Sequence, residues 1–320
     1  MSIRAQEHTE LPIPNGWFAV AWSRDLVAGD VRRVRCFEEE LVLFRTRAGR
    51  AAVLDAWCAH LGAHLAEGGR VVGEAIRCPF HGWLWDATGA CAGIPYCDEV
   101  PARARMRGWA VVERNGLVFV WRHAEGEPPS WEVPVLPELG HPDWSEPRHF
   151  ELTVPVHMQD MHENNNDPVH FHFVHGNLKM PSSEIELREG GRVMRMRTAQ
   201  RRETPYGTFD TVLETESWGL GLAAVRVLGI GDAGLLMFSA TSPLDRRTSH
   251  SRWLFTVTKN LADVAGEDFV QGLQLGVQQD LRIWSNKVHR ARPVLCAADE
   301  ALATFRRWAR QFYSESADRA

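Results

Sequence analysis

The sequence predicts an α+β protein of two domains, an all-β N-terminal domain followed by a strand-rich domain that closes with helices. Three observations predict it: short apolar runs separated by glycine turns from about Gly16 to Arg122, a proline-rich interruption, and helical spacing confined to roughly the last sixty residues. A chain of 320 residues is long enough for two such domains, each with its own core.

Each element has a local reason. In "LVLFRTRAGRAAVLDAWC", Leu41, Val42, Leu43 and Phe44 precede a turn at Gly49 and a second apolar run, a strand–turn–strand pattern. "WAVVERNGLVFVW" repeats it around Asn115-Gly116, a pair suited to the left-handed positions of a tight hairpin. From His123 to His149, Pro128, Pro129, Pro134, Pro137, Pro142 and Pro147 stand among acidic residues, which marks a connection. The expected limits are 12–125 for the first domain, 126–149 for the connection and 150–320 for the second domain. "HFELTVPV" opens a new strand system that runs to about Thr258. Its most apolar stretch, "WGLGLAAVRVLGIGDAGLLMF" from Trp218, is broken by Arg226, Asp232 and glycines, so it predicts strands and not a bilayer span. "EDFVQGLQLGVQQDLRIWSNKV" and "DEALATFRRWARQFYSES" place apolar residues three and four apart, which predicts helices.

Composition narrows the function. With 36 basic against 41 acidic residues, a net charge of −5 and no basic cluster interleaved with aromatics, nucleic acid is not an expected partner. The first residues, "MSIRAQEHTELPIPNG", hold no apolar run, so a cytoplasmic location without signal peptide or anchor is expected. Six cysteines in that setting favour metal binding or free thiols over disulfides.

Two of those cysteines stand beside histidines. Cys58-x-His60 and, 17 residues on, Cys78-x-x-His81 offer two sulfur and two nitrogen ligands from two loops, a set that admits zinc as well as an iron–sulfur cluster. The short Cys-x-His spacing is unusual for a zinc finger, and Gly62 and Gly82 suit tight cradling loops. Cys36, Cys91, Cys97 and Cys296 lack a histidine at such spacing and are expected to be core residues or free thiols, with His64 a polar loop residue. "CAHLGA" and "CPFHGW" resemble the two loops of a Rieske domain, in which two histidines replace two cysteines on one iron of a [2Fe–2S] cluster. The resemblance implies Cys58 and Cys78 on one iron, His60 and His81 on the other. Respiratory Rieske domains carry a further cysteine in each loop, where this chain has Ala63 and Phe80. Trp83 and Trp85 stand where those high-potential domains place hydroxyl side chains, which implies fewer hydrogen bonds to sulfur and a potential at the low end, roughly −150 mV.

"ENNNDPVHFHFVHG" (Glu163 to Gly176) holds three histidines, one aspartate and three asparagines. Mononuclear iron oxygenases use two histidines and one carboxylate. Spacing leaves the pair open: on a regular helix His172 and His175 share a face, whereas His170 and His175 do not. The pattern Asn164-x-x-Asp167-x-x-His170-x-x-x-x-His175-Gly176 is similar to the iron motif of Rieske non-haem iron oxygenases. That similarity implies His170 and His175 as ligands, a helix that loosens between them, and His172 as a packing residue. It also implies catalytic roles for Asn164 and Asp167, the aspartate linking a cluster histidine (His81) of one subunit to His170 of the next in a head-to-tail homotrimer. The rival role for Asp167 is a helix cap before Pro168.

The carboxylate ligand must come from elsewhere, and Asp263, Asp268, Asp280 and Asp299 are the acids of the late helices. Asp263 and Asp268 fall near a helix start, where capping explains them. Asp280 shares a stripe with Ile283, Trp284, Lys287 and Val288, and a carboxylate on an apolar face is costly unless paired or metal-bound. The family carries its aspartate on such a helix, which favours Asp280; a buried pair with an arginine is the rival.

Nearly the whole chain resembles Rieske oxygenase α-subunits. The phrases "NGWFAVAWSRDL", "LDAWCAHLGAHLAEGG", "IPYCDEVP", "NGLVFVW", "TSPLD", "QDLRIWSNKV" and "FRRWARQFY" are similar to the ketosteroid 9α-hydroxylase and cholesterol 7-desaturase branch. This implies a Rieske [2Fe–2S] domain, a helix-grip catalytic domain with mononuclear Fe(II), and O2-dependent hydroxylation or desaturation of an apolar, steroid- or sterol-like substrate. Terpenoid and aromatic substrates stay open. NAD(P)H electrons would arrive through a separate flavin or iron–sulfur reductase, since the chain has no glycine-rich dinucleotide fingerprint. The rivals are a Rieske electron carrier, which needs only the first hundred or so residues, and a structural zinc protein, which would be colourless.

Overall fold

The computed structural model describes residues 10–204 and 207–314. The described residues divide into two compact units, residues 16–135 and a second unit formed by the described residues from Leu136 to Ser314 together with residues 10–15. The limits expected from sequence place residues 12–15 with the first domain and 126–149 in a connection between the two.

The first unit holds three small antiparallel sheets: Gly16–Trp22, Leu117–Arg122 and Val111–Arg114; Val31–Cys36, Glu39–Arg45 and Ala51–Asp55; and Arg70–Val72, Ala75–Arg77, Leu84–Asp86 and Cys91–Gly93. Asn115 and Gly116 turn their hairpin with φ of 54° and 75°, the left-handed pair such a turn requires. The part of the proline-rich segment up to Val135 belongs to this unit, where the Trp17 indole donates to the Trp131 carbonyl at 2.7 Å and Val133 is buried.

The second unit is built on one seven-stranded antiparallel sheet. Its order is Arg148–Val154, Ser249–Val257, Ala233–Pro243, Leu222–Ile230, Gly207–Trp218, Val193–Thr204 and Ser182–Arg188. The long helix Lys259–Trp284 lays Val277, Leu281 and Trp284 against Phe150, Trp253 and Phe255, the helix-grip arrangement that the resemblance implies. It starts earlier than the spacing suggests and stops at Trp284, so Lys287 and Val288 lie beyond it. The buried stripe is therefore Val277, Asp280, Leu281 and Trp284, while Ile283 and Val288 are 46% and 44% exposed. Among the described residues, no helix is long and apolar enough to cross a membrane.

Helix Met158–His162 leads into the histidine motif and is fixed by a buried charge network. Glu163 accepts from Lys287 at 3.0 Å and from Arg306 at 2.6 Å, and Asp160 faces His289 at 3.1 Å. Every one of these acids has a cation or imidazole beside it, as burial demands. His157 caps the helix, its Nδ1 accepting from the Gln159 N–H while Nε2 donates to the Pro12 carbonyl.

Burial pushes both His157 and His162 down to about 4, with Asp160 and Glu163 working against the shift at His157. In the unfolded chain each would take its proton near pH 6.5. Below that pH the unfolded state binds more protons, so stability falls as the pH drops through the window from 6.5 to 4, by about 3 kcal/mol per histidine. Thermal unfolding across that range should show the loss, and His162→Leu should flatten roughly half of it; an unchanged pH slope in the variant would contradict this account.

Candidate metal centres and the adjoining cavity

The two cysteine loops are built alike. Cys58 N–H donates to the Ala63 carbonyl at 2.9 Å and Gly62 N–H returns to the Cys58 carbonyl at 2.8 Å. Cys78 N–H donates to the Trp83 carbonyl at 2.8 Å and Gly82 N–H returns to the Cys78 carbonyl at 3.1 Å. Both glycines adopt left-handed φ, 73° and 76°, and a Cβ on Gly82 would lie 2.9 Å from Pro95. These matched turns aim the four side chains together. Cys58 and Cys78 are buried beside each other, and the His60 and His81 rings sit 4.8 Å apart at 76°.

Burial pushes the Cys58 thiol up, Cys78 pushes it further, and the His60 backbone and the Trp85 indole pull it down. Buried His81 Nδ1 has no hydrogen-bond partner among the described residues, as expected of a nitrogen that serves a metal. Two thiols and two imidazoles fit a Rieske cluster. Trp83, read from sequence only as a missing hydroxyl, stacks on His60 at 4.5 Å and 11° and donates its indole N–H to Tyr96. Cys36, Cys91, Cys97 and Cys296 form no disulfide, and His64 is a buried loop residue whose Nδ1 accepts from Ala66 N–H.

The second centre lies in the other unit. His170 opens a helix that ends at Phe173, and Gly176 follows His175 at φ 69°, so the five-residue spacing is bridged by a helix end. The His170 and His175 rings come to 5.1 Å, and ligand atoms of His170, His175 and Asp280 lie within 4.8 Å of one another. His172 is not in this group; its Nδ1 bonds to the Asn177 carbonyl. His172→Ala should accordingly leave iron content at the wild-type value by metal analysis, and loss of iron would mean that the histidine pair is misassigned.

Neighbouring groups fix the tautomers. His170 Nδ1 donates to the Asp167 carbonyl, which turns its Nε2 lone pair toward the site, where Asn164 Nδ2 lies 3.1 Å away. His175 Nδ1 donates to Gln279 Oε1 at 2.9 Å, which turns the Nε2 lone pair toward Asp280 Oδ1 at 3.3 Å. Burial pushes His170 below its ordinary value, so the ring is a neutral nitrogen donor. Asp280 is 7% exposed, and no hydrogen bond reaches its Oδ1 among the described residues. The lone pairs of His175 Nε2 and Asp280 Oδ1 repel unless a cation lies between them, so together with His170 this set fits a two-histidine, one-carboxylate iron site.

The other acids fall away. Asp299 accepts from Cys296 N–H at 2.8 Å, and Asp263 is an exposed helical residue past the first turn, not a cap. The side chain of Asp268 lies outside the described residues. The Asp167 carboxylate accepts from Val169 N–H at 3.0 Å, so the link from Asp167 to His170 within the chain runs through the main-chain carbonyl. Gln279 was not found from sequence, because its role depends on where the helix docks.

A cavity opens beside the three residues. Leu213, Val225, Val227 and Met237 from the sheet face Gly272 and Gly276 of the long helix, whose missing side chains widen it.

A two-loop cysteine–histidine centre in one unit, and a histidine–histidine–aspartate centre under a helix-grip sheet in the other, define a Rieske non-haem iron oxygenase. The comparisons agree with this class: residues 16–104 match the Rieske [2Fe-2S] domain, and residues 120–313 match the 3-ketosteroid 9α-hydroxylase C-terminal domain. The chain belongs to the 3-ketosteroid 9α-hydroxylase family of Rieske oxygenases. It is similar to "Cholesterol 7-desaturase nvd" of Bombyx mori, 32% identical over 324 residues, 95% of this chain and 70% of that protein. It is also similar to the oxygenase component of 3-ketosteroid-9-alpha-monooxygenase of Rhodococcus rhodochrous, 30% identical over 320 residues, 95% of this chain and 82% of that protein. The NdmA QL mutant of Pseudomonas putida CBB5 shares the fold, with a TM-score of 0.78 at 21% identity over 92% of this chain and 89% of that one.

The protein is an oxidoreductase that uses a [2Fe–2S] cluster, mononuclear iron, O2 and electrons from a separate reductase. A stand-alone electron carrier and a structural zinc protein are set aside by the match over its second domain.

Proposed function

We propose that this chain is the terminal oxygenase of a steroid- or sterol-oxidising system, acting in the cytoplasm as a homotrimer. The observation that carries the substrate class is the cavity beside His170, His175 and Asp280, whose sheet wall is apolar, in a chain whose relatives are named for ketosteroid and cholesterol oxidation. In this reading Cys58 and Cys78 hold one iron of the cluster, His60 and His81 the other, and His170, His175 and Asp280 hold the mononuclear iron. The bound groups supply electron storage and oxygen activation. Hydroxylation takes one substrate C–H, O2, two electrons and two protons to an alcohol and water; desaturation takes two C–H bonds with the same inputs to an alkene and two waters.

The chain's own residues hold and exclude. The Asp167 carbonyl and Gln279 keep both histidines in the tautomer that points Nε2 at the site, and Asn164 stands over His170. Val225, Val227 and Met237 keep water from the reacting carbon and fix the ring against the iron side. Asp167, half-buried and already joined to His170, lies between this centre and His81 of a neighbouring subunit, in a ring closed by heterologous contacts.

The test is a panel of steroids, terpenoids and simple aromatics offered to the holoenzyme with a reductase, with products read by mass spectrometry. A steroid or sterol gaining one oxygen or losing two hydrogens is expected. Oxidation of terpenoids or aromatics alone would overturn the substrate class while leaving the oxygenase intact.

A further inference from the structure

Strand pairing lays out the sheet wall of the cavity as a grid. Leu213 pairs with Val227 and Val227 with Leu235; Thr215 pairs with Val225 and Val225 with Met237. Positions two apart face the same side, so all six side chains share one face, and all six line the cavity. Five are apolar. The sixth, Thr215, is 1% exposed, and its Oγ1 has no hydrogen-bond partner among the described residues. Valine would fill the same space without burying a hydroxyl, and an unpaired buried hydroxyl is destabilising. Such a group in a native protein calls for an explanation.

From this geometry we propose that Thr215 is a specificity residue, the hydrogen-bond anchor for an oxygen substituent on the substrate ring system, either a ketone or a hydroxyl. The proposal rests on the reading that the cavity takes an apolar ring system, and it adds what that ring must carry. Two indole N–H groups that line the same cavity, Trp253 on the sheet and Trp284 on the long helix, also lack partners among the described residues, but they are donors only. Trp253 is further held in stacking contact with Phe150 and Phe255, at interplanar angles of 10° and 11°. The Thr215 hydroxyl rotates, so it can donate to a ketone or accept from an alcohol.

The experiment measures dissociation constants by quenching of tryptophan fluorescence in holoenzyme of the wild type, Thr215→Val and Thr215→Ser. The probes are two matched pairs, 5α-androstan-3-one with 5α-androstane and camphor with bornane. Wild type should bind the ketone of the pair it accepts about tenfold more tightly than the hydrocarbon. Thr215→Val should weaken the ketone alone and shrink that ratio to about twofold or less, and Thr215→Ser should restore it. A ratio unchanged in Thr215→Val, or an equal loss for both members of a pair, would overturn the anchor and leave the steroid reading standing. Binding of the camphor pair alone, with the ratio collapsing in Thr215→Val, would sustain the anchor and overturn the steroid reading. If neither pair binds, the cavity is not a site for oxygenated rings and the anchor falls.

Discussion

Replacing Asp280 with alanine should strip the mononuclear iron and reduce turnover by more than about 100-fold, while the red-brown cluster chromophore stays at its wild-type intensity. The expectation follows from what surrounds the carboxylate. Asp280 sits among Val277, Leu281 and Trp284 on the buried stripe of the long helix, and its partner among the described residues is His175 Nε2 at 3.3 Å. Among the described residues no arginine pairs with it, which speaks against the ion-pair rival. Gln279 already accepts the His175 Nδ1 proton, so Nε2 meets the carboxylate with a lone pair, and only a cation or an added proton makes that contact favourable. Losing one of three protein ligands should cost more affinity than losing a supporting residue, for which 10–100-fold is typical. Asp280→Glu should keep part of the metal, because the longer carboxylate can still reach an open face. The metal-free variant should melt no lower than metal-free wild type, since it loses an uncompensated buried charge. Full iron with full activity in Asp280→Ala would remove the carboxylate from the site. Asp299 is no substitute, being spent on the Cys296 N–H.

The sequence carries some of this site openly and hides the rest, for reasons of range. The cysteine loops are local objects: six residues set each turn, and the glycines at 62 and 82 state the backbone conformation outright. The hairpin at Asn115-Gly116 is legible on the same ground. The histidine pair is half legible, because periodicity assumes a continuous helix and this helix ends at Phe173, where only the family motif could choose His170 with His175. Asp280 was reached by a stripe that is only half correct: Trp284 is on it, but Ile283 is exposed and Val277 and Leu281 take its place. Gln279, the Trp83 stack on His60 and the grid around Thr215 could not be read at all. Each depends on partners tens of residues away, whose register is fixed by the folded sheet and helix and not by neighbours in sequence.

Mixing two dead variants should restore activity. Asp167→Ala and Cys58→Ser are each expected to be inactive, the first through loss of the electron link and the second through loss of the cluster. The structure bounds what Asp167→Ala disturbs. His170 is held by the Asp167 main-chain carbonyl, which alanine keeps, so iron should remain bound. The carboxylate also accepts from Val169 N–H, and losing such a cap costs about 1 kcal/mol. Asp167→Asn separates the two roles, since asparagine preserves the cap and removes the charge; it should stay inactive if the link needs a carboxylate and recover if only the cap matters. In trimers assembled at random from equal amounts of the two variants, a subunit with an intact cluster precedes one with an intact aspartate at about a quarter of the interfaces. Turnover should then approach about a quarter of the wild-type rate per chain. Cluster and iron content should equal the mean of the parents, so that the gain is not explained by metal uptake. If mixed trimers form and turn over no faster than the separate variants, the link from His81 to His170 does not cross between subunits, and Asp167 serves its own chain as a cap.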